Sequence, residues 1–178
     1  MTNTAVERAG QTGAAQGTEQ AHTLIVLVHD RPGSVDRVIG LLRRRRANMQ
    51  TLVLGRSTQP HVVRITIGVD DSQVGVEHLV EQLRKIIDVM QVTNLAAKEA
   101  ITRELALIKV NATAAQAQEV LAHGQRFNAH SVDVTPESVT LEIVGSEEQI
   151  EQLLEHLKPY GIREIARSGR VALSRGNL

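Results

Sequence analysis

Hydrophobic and polar positions along the chain repeat one order twice. Thr23 to His29 is a continuous apolar run of strand length, and helical spacing follows at Val35, Val38, Ile39 and Leu42. Asn48 to Gly55 and His61 to Val69 predict two strands around the polar turn Ser57 to Pro60, with Val63, Ile65, Ile67 and Val69 alternating on one face. Asp71 or Ser72 is expected to cap a second helix striped by Val76, Leu79, Val80 and Leu83, and Asp88 to Leu95 closes as a fourth strand. The second half begins with a strand from Glu104 to Asn111. Thr113 then caps a helix carrying Ala117, Val120, Leu121 and Gly124, and His130 to Val134 with Ser138 to Val144 predicts a hairpin. Ser146 and Gln149 fit a capping box before Ile150, Leu153, Leu154 and Leu157, and Ile162 to Ala166 is a last strand. Both halves read βαββαβ, so the expected fold class is α+β with two ferredoxin-like domains, each laying two helices on one face of a four-stranded antiparallel sheet. The expected divisions are a disordered tail at 1–21, a first domain at 22–96, a linker at 97–103 and a second domain at 104–178.

The first strand raises a question of cover. Leu24, Val26 and Val28 point one way, Ile25 and Leu27 the other, and both sets are apolar. The helices of a ferredoxin-like unit cover only one face. Burial stabilises by roughly 25 cal/mol per Å² of apolar surface, so the other face calls for an oligomer or a partner, with the second half of the same chain as the competing cover.

Composition narrows the chemistry. The chain has 178 residues, Lys plus Arg and Asp plus Glu balance at 20 each, and no global field favours nucleic acid or an anionic membrane. The chain has no Cys, which removes disulfides, thiolate nucleophiles and Cys-based metal sites, and a cytoplasmic location is the default expectation. The first 21 residues resemble neither a secretory signal nor a membrane span. Nucleophile elbow, phosphate-binding loop, dinucleotide fingerprint and zinc-binding His-Glu pair are not spelled, and the seven His form no i, i+4 pair on one helix. No catalytic residue and no metal ligand is therefore expected. Arg43 to Arg46 is the most basic stretch. An RNA-binding reading would need aromatic platforms on the central strands, but the only aromatics are Phe127 and Tyr160, so cations complementing a helix C-terminus are the favoured reading.

Asp30-Arg31-Pro32-Gly33, between the first strand and helix, resembles the signature of ACT domains, small amino-acid-sensing modules. Pro32 is expected to fix φ at the start of the helix, Gly33 to open the backbone to a ligand, and exposed N–H groups to receive a carboxylate. An alternative role for Asp30 is a helix N-cap. The order and spacing from residue 22 to 176, including Arg167 to Gly176 near the C-terminus, resemble the small regulatory subunit of acetolactate synthase, also called acetohydroxyacid synthase. The resemblance implies a non-catalytic protein that binds a large catalytic subunit, a transferase, raises its activity and confers feedback inhibition by a branched-chain amino acid, usually valine. It assigns thiamine diphosphate, magnesium and FAD to that partner. It also implies a homodimer through ACT domains, with the effector held by Asp30, Gly33, Ser34 and Val35 of one chain and Asn48 and Met49 of the other. Two positions depart from the family. Asp30 stands where Asn is usual, and an ionised Asp repels a ligand carboxylate, which predicts weak valine inhibition. Arg46 and Ala47 stand where a Gly and an aromatic are common. A stand-alone amino-acid-binding regulator is the alternative function.

Overall fold

The computed structural model describes residues 21–70, 75–96 and 99–176. The first unit runs β1 (Ala21–His29), α1 (Ser34–Arg44), β2 (Asn48–Arg56), β3 (Val62–Asp70), α2 (Val76–Arg84) and β4 (Val89–Leu95). The second runs β5 (Ala100–Asn111), α3 (Ala114–Arg126), β6 (His130–Val134), β7 (Ser138–Gly145), α4 (Glu147–Leu157), a 3₁₀ turn (Lys158–Tyr160) and β8 (Ile162–Arg167). A short β9 (Val171–Ser174), which the periodicity does not predict, ends the order. The sheets are antiparallel, with strand orders β2-β3-β1-β4 and β6-β7-β5-β8, so both halves have the expected ferredoxin-like topology. The tail expected at 1–21 falls outside the described residues except for Ala21, which opens β1.

Two helix-covered cores follow from the predicted stripes. In the first, Leu24, Val26 and Val28 meet Ile65, Ile67 and Val69 beneath Val38, Leu42, Leu79 and Leu83. In the second, Ala106, Ile108 and Val110 meet Val139, Leu141 and Ile143 beneath Val120, Ile150, Leu153 and Leu157. The expected capping box forms at Ser146, and Thr113 caps its helix in a second box with Gln116. Ser146 N–H donates to Gln149 Oε1 at 2.9 Å and Gln149 N–H to Ser146 Oγ at 3.3 Å, while Gln116 Oε1 accepts from the N–H and hydroxyl of Thr113 at 3.2 and 3.0 Å. α2 differs from expectation, since its N-cap is Gly75; Asp71 and Ser72 lie outside the described residues.

The chain itself supplies cover for the outer face of the first sheet. Residues 100–103, expected to belong to the joint between halves, are already strand, and they pair with β9 from Ala100↔Ser174 to Arg103↔Val171. This ribbon packs Ala100 and Ala172 against Ile25 and Leu95 in a third buried cluster. Arg64 Nη2 donates to the Ala172 carbonyl at 2.7 Å, and Gly169, at φ 79°, lies so close to β2 that a Cβ there would stand 2.9 Å from Val53 Cγ2. Where β5 leaves the ribbon, buried Glu104 accepts from Arg167 Nε at 3.1 Å and Nη2 at 2.6 Å. Those bonds hold the Arg167 guanidinium above its ordinary pKa despite the opposing effect of burial.

Candidate functional site

The junction after β1 is a tight turn with its own bonding. Asp30 N–H donates to the His61 carbonyl at 2.8 Å and Ser34 N–H to the Arg31 carbonyl at 3.1 Å. Gly33 has φ 81° and ψ −2°, the third-position geometry of a type II turn, and Pro32 precedes it as that turn favours. Pro32 thus belongs to the turn, and the N-cap of α1 is Gly33; neither Pro32 as first helical residue nor Asp30 as cap is what forms. A residue with a Cβ would pay about 1–2 kcal/mol for that left-handed conformation.

The turn leaves the helix end open. Gly33 has no side chain to cap it, Ser34 N–H is taken by Arg31, and Arg37 N–H goes to the Gly33 carbonyl at 3.0 Å. Among the described residues nothing accepts from the N–H groups of Val35 and Asp36, which are the free donors a helix N-terminus offers to an anion. Ser34 builds the turn rather than offering a donor, since it is buried and its Oγ also donates to the Arg31 carbonyl, at 2.9 Å. Asp30 is exposed, and no described residue pairs with its carboxylate. Val35 is half-buried against the first core.

Behind the turn lies a pair that sequence reasoning missed. Arg37 Nε donates to Asp88 Oδ2 at 2.7 Å, with Nη2 2.5 Å from the same oxygen, and the Asp88 carbonyl accepts from His29 N–H at 2.9 Å. Asp88 is 3% exposed, so the pair ties the first turn of α1 to the entrance of β4. Its only sequence signal is an acid between Ile87 and Val89 in an apolar stretch.

The other expected site residues stand elsewhere. Asn48 is exposed, its Nδ2 3.4 Å from Asp70 Oδ2, and Met49 is half-buried against the first core. In register, His29 faces Val62 at one end of β3, while Asn48 faces Asp70 at the other. Eight residue steps separate Val62 from Asp70, about 26 Å of extended chain. One chain therefore brings Asp30, Gly33, Ser34 and Val35 together, and Asn48 and Met49 together, but not the two groups to each other.

Arg43 to Arg46 are all exposed at the end of α1, and Arg45 Nη2 donates to Gln82 Oε1 at 2.9 Å. Ala47 N–H bonds the Leu42 carbonyl and Arg46 N–H the Arg43 carbonyl, a Schellman ending that holds Arg46 at φ 53°, where Gly is the usual resident. Among the described residues no group of three or more His, Cys, Asp or Glu side chains is placed to hold a metal ion, and no helix is long and apolar enough to cross a membrane.

A ferredoxin-like unit whose first strand ends in this turn beneath an open helix is an ACT-type domain, and a family model described as "AHAS small subunit-like ACT domain" matches residues 24–91. The remainder is equally specific, because a model described as "Small subunit of acetolactate synthase" matches residues 103–176. The acetolactate synthase small subunit of Mycolicibacterium smegmatis is 44% identical over 155 residues, covering 87% of this chain and 91% of that one. A probable acetolactate synthase small subunit of Archaeoglobus fulgidus is 36% identical over 88% of this chain and 98% of its own. The crystal structure of the acetolactate synthase small subunit from Thermotoga maritima superposes with a TM-score of 0.81 at 31% identity, covering 89% of this chain and 99% of that one. The chain belongs to the acetolactate synthase small-subunit family.

Proposed function

We propose that this chain is a non-catalytic regulatory subunit that binds a catalytic large subunit of acetolactate synthase, raises its activity and makes it responsive to a branched-chain amino acid. The thiamine diphosphate, magnesium and FAD of the reaction are read as the large subunit's, and the location as cytoplasmic. The observation that carries the reading is the separation of the two halves of the site to opposite ends of one sheet. β2 is the edge strand of that sheet, and antiparallel pairing of two β2 edges in a two-fold dimer would carry the Asn48 end of one chain to the Arg56 end of the other, on the side of the Asp30 turn. The effector then completes a site to which each chain gives half, and it biases the assembly by binding one arrangement better than another.

Asp30 sets the effector preference. A ligand carboxylate 4 Å from its charge is repelled by about 1 kcal/mol in bulk water and about 4 kcal/mol near a protein surface, from about fivefold to about a thousandfold in affinity. The test is reconstitution with the cognate large subunit. Acetolactate formation is expected to rise on addition of this chain, valine to inhibit weakly, and Asp30→Asn to strengthen that inhibition. No rise under conditions of association would remove the regulatory reading, and strong inhibition of the unmodified complex by micromolar valine would remove the role given to Asp30. Binding of an amino acid without recovery of any large subunit would favour the stand-alone regulator.

A further inference from the structure

A groove of about 370 Å³ opens where the ribbon of β5 and β9 crosses the outer face of the first sheet. Val53 and Thr66 of that sheet form one wall, and Ile101, Val171 and Leu173 of the ribbon form the other. The ribbon side chains are turned to solvent, with Leu173 64%, Val171 48% and Ile101 42% exposed. Three arginines, Arg56, Arg64 and Arg103, line the same groove. Arg64 spends one donor on the Ala172 carbonyl and Arg103 one on the Thr102 carbonyl, yet among the described residues no carboxylate pairs with any of the three. Burial pushes the half-buried Arg64 guanidinium below its ordinary pKa, with no acid to offset it.

Exposed aliphatics interleaved with unpaired arginines have the composition of a protein interface. The charge argues against a second copy as occupant. A two-fold contact of this groove with itself would set arginines against arginines. The outer face of the second sheet offers Asp133 and Glu164 but also Lys109, and a contact with it joins unlike surfaces, extending as a ring or filament rather than as the two-fold pairing proposed above.

Resting on the small-subunit reading above, we propose that this groove is where the large subunit docks, through an extended segment bearing carboxylates among aliphatic side chains. The position joins docking to sensing. Asn48 and Met49 begin β2, while Val53, Gly55 and Arg56, further along the same strand, line the groove. Effector and partner then both act on β2, and the groove takes walls from both domains, so a docked partner feels their relative placement.

The experiment measures affinity of the full chain for the catalytic subunit, with acetolactate formation as a second readout. Arg103→Glu and Leu173→Asp change exposed side chains, so folding is preserved and is checked by thermal melting. Each is expected to weaken association by about tenfold or more. Arg44→Glu, on the exposed end of α1, and Val144→Asp, on the second sheet, are expected to bind as the unmodified chain does. Groove variants that bind and activate normally overturn the proposal while leaving the regulatory reading intact, and so do variants that alter only self-association. Failure of the unmodified chain to associate at all overturns both.

Discussion

The two halves share one topology and differ at the same joint. In the first, the strand-to-helix junction holds Gly33 in a left-handed turn and leaves the N–H groups of Val35 and Asp36 open. In the second, Asn111 N–H is tied to the Gly161 carbonyl and Ala112 N–H to the Glu137 carbonyl, and Gln116 folds back onto Thr113. The Asn111 side chain is itself engaged by Arg163. The first helix is thus entered through a left-handed glycine that carries no side chain, and the second through Thr113 in extended backbone with Gln116 folded onto it, so the two helix ends present different surroundings to a ligand. The outer faces differ as well. Ile25 on the first sheet is buried by Ala100 and Ala172, whereas Leu107 and Val144 on the second remain exposed.

That contrast can be broken most severely at the covers. Ala172→Asp places a charge in the cluster that buries Ile25 and is expected to cost about 3 kcal/mol or more. Leu107→Asp, on the exposed face, should stay within about 1 kcal/mol, and equal shifts of the denaturant midpoint would mean that the ribbon does not seal the first sheet. The open joint comes next. Gly33→Val is expected to lose about 1–2 kcal/mol in thermal unfolding and to remove the amino-acid response while activation of the large subunit persists; a retained response would place the effector elsewhere. Smallest is the joint of the second half, where Thr113→Ala should cost about 1 kcal/mol and leave the response untouched. A changed response there would indicate that the second domain also senses.

Much of this was legible because it is local. The alternation Val63, Ile65, Ile67 and Val69, the stripe Val76, Leu79, Val80 and Leu83 and the capping box of Ser146 and Gln149 depend on neighbours within a few positions, and each forms as read, while Gln116 as the partner of Thr113 was not read. The two faces of β1 were equally plain, and with them the need for a second cover. The identity of that cover was not, since β9 is four residues long and has no periodicity to betray it; the same chain, held as the competing explanation, supplies it in part. Arg37 and Asp88 stand 51 positions apart, a pairing that only the folded path brings together. At the candidate site Gly33 was read as opening the backbone to a ligand, whereas its left-handed φ of 81° is a property of the folded turn; Ser34 turns inward because both its donors close that turn. Asn48 and Met49 were expected to act from the other chain of a dimer, and the distance between the two groups within one chain is a property of strand register, which emerges only once β1, β2 and β3 are paired.

β5 runs unbroken for twelve residues, its first four in the ribbon and the rest at the centre of the second sheet. At about 3.3 Å per residue it is a beam of about 40 Å, clamped by β9 near one end and by β7 and β8 along the remainder. A beam transmits torque where a flexible tether would dissipate it. Any tilt of the ribbon against the first sheet must turn the second sheet with it, so the two domains are geared together like a crank and its shaft.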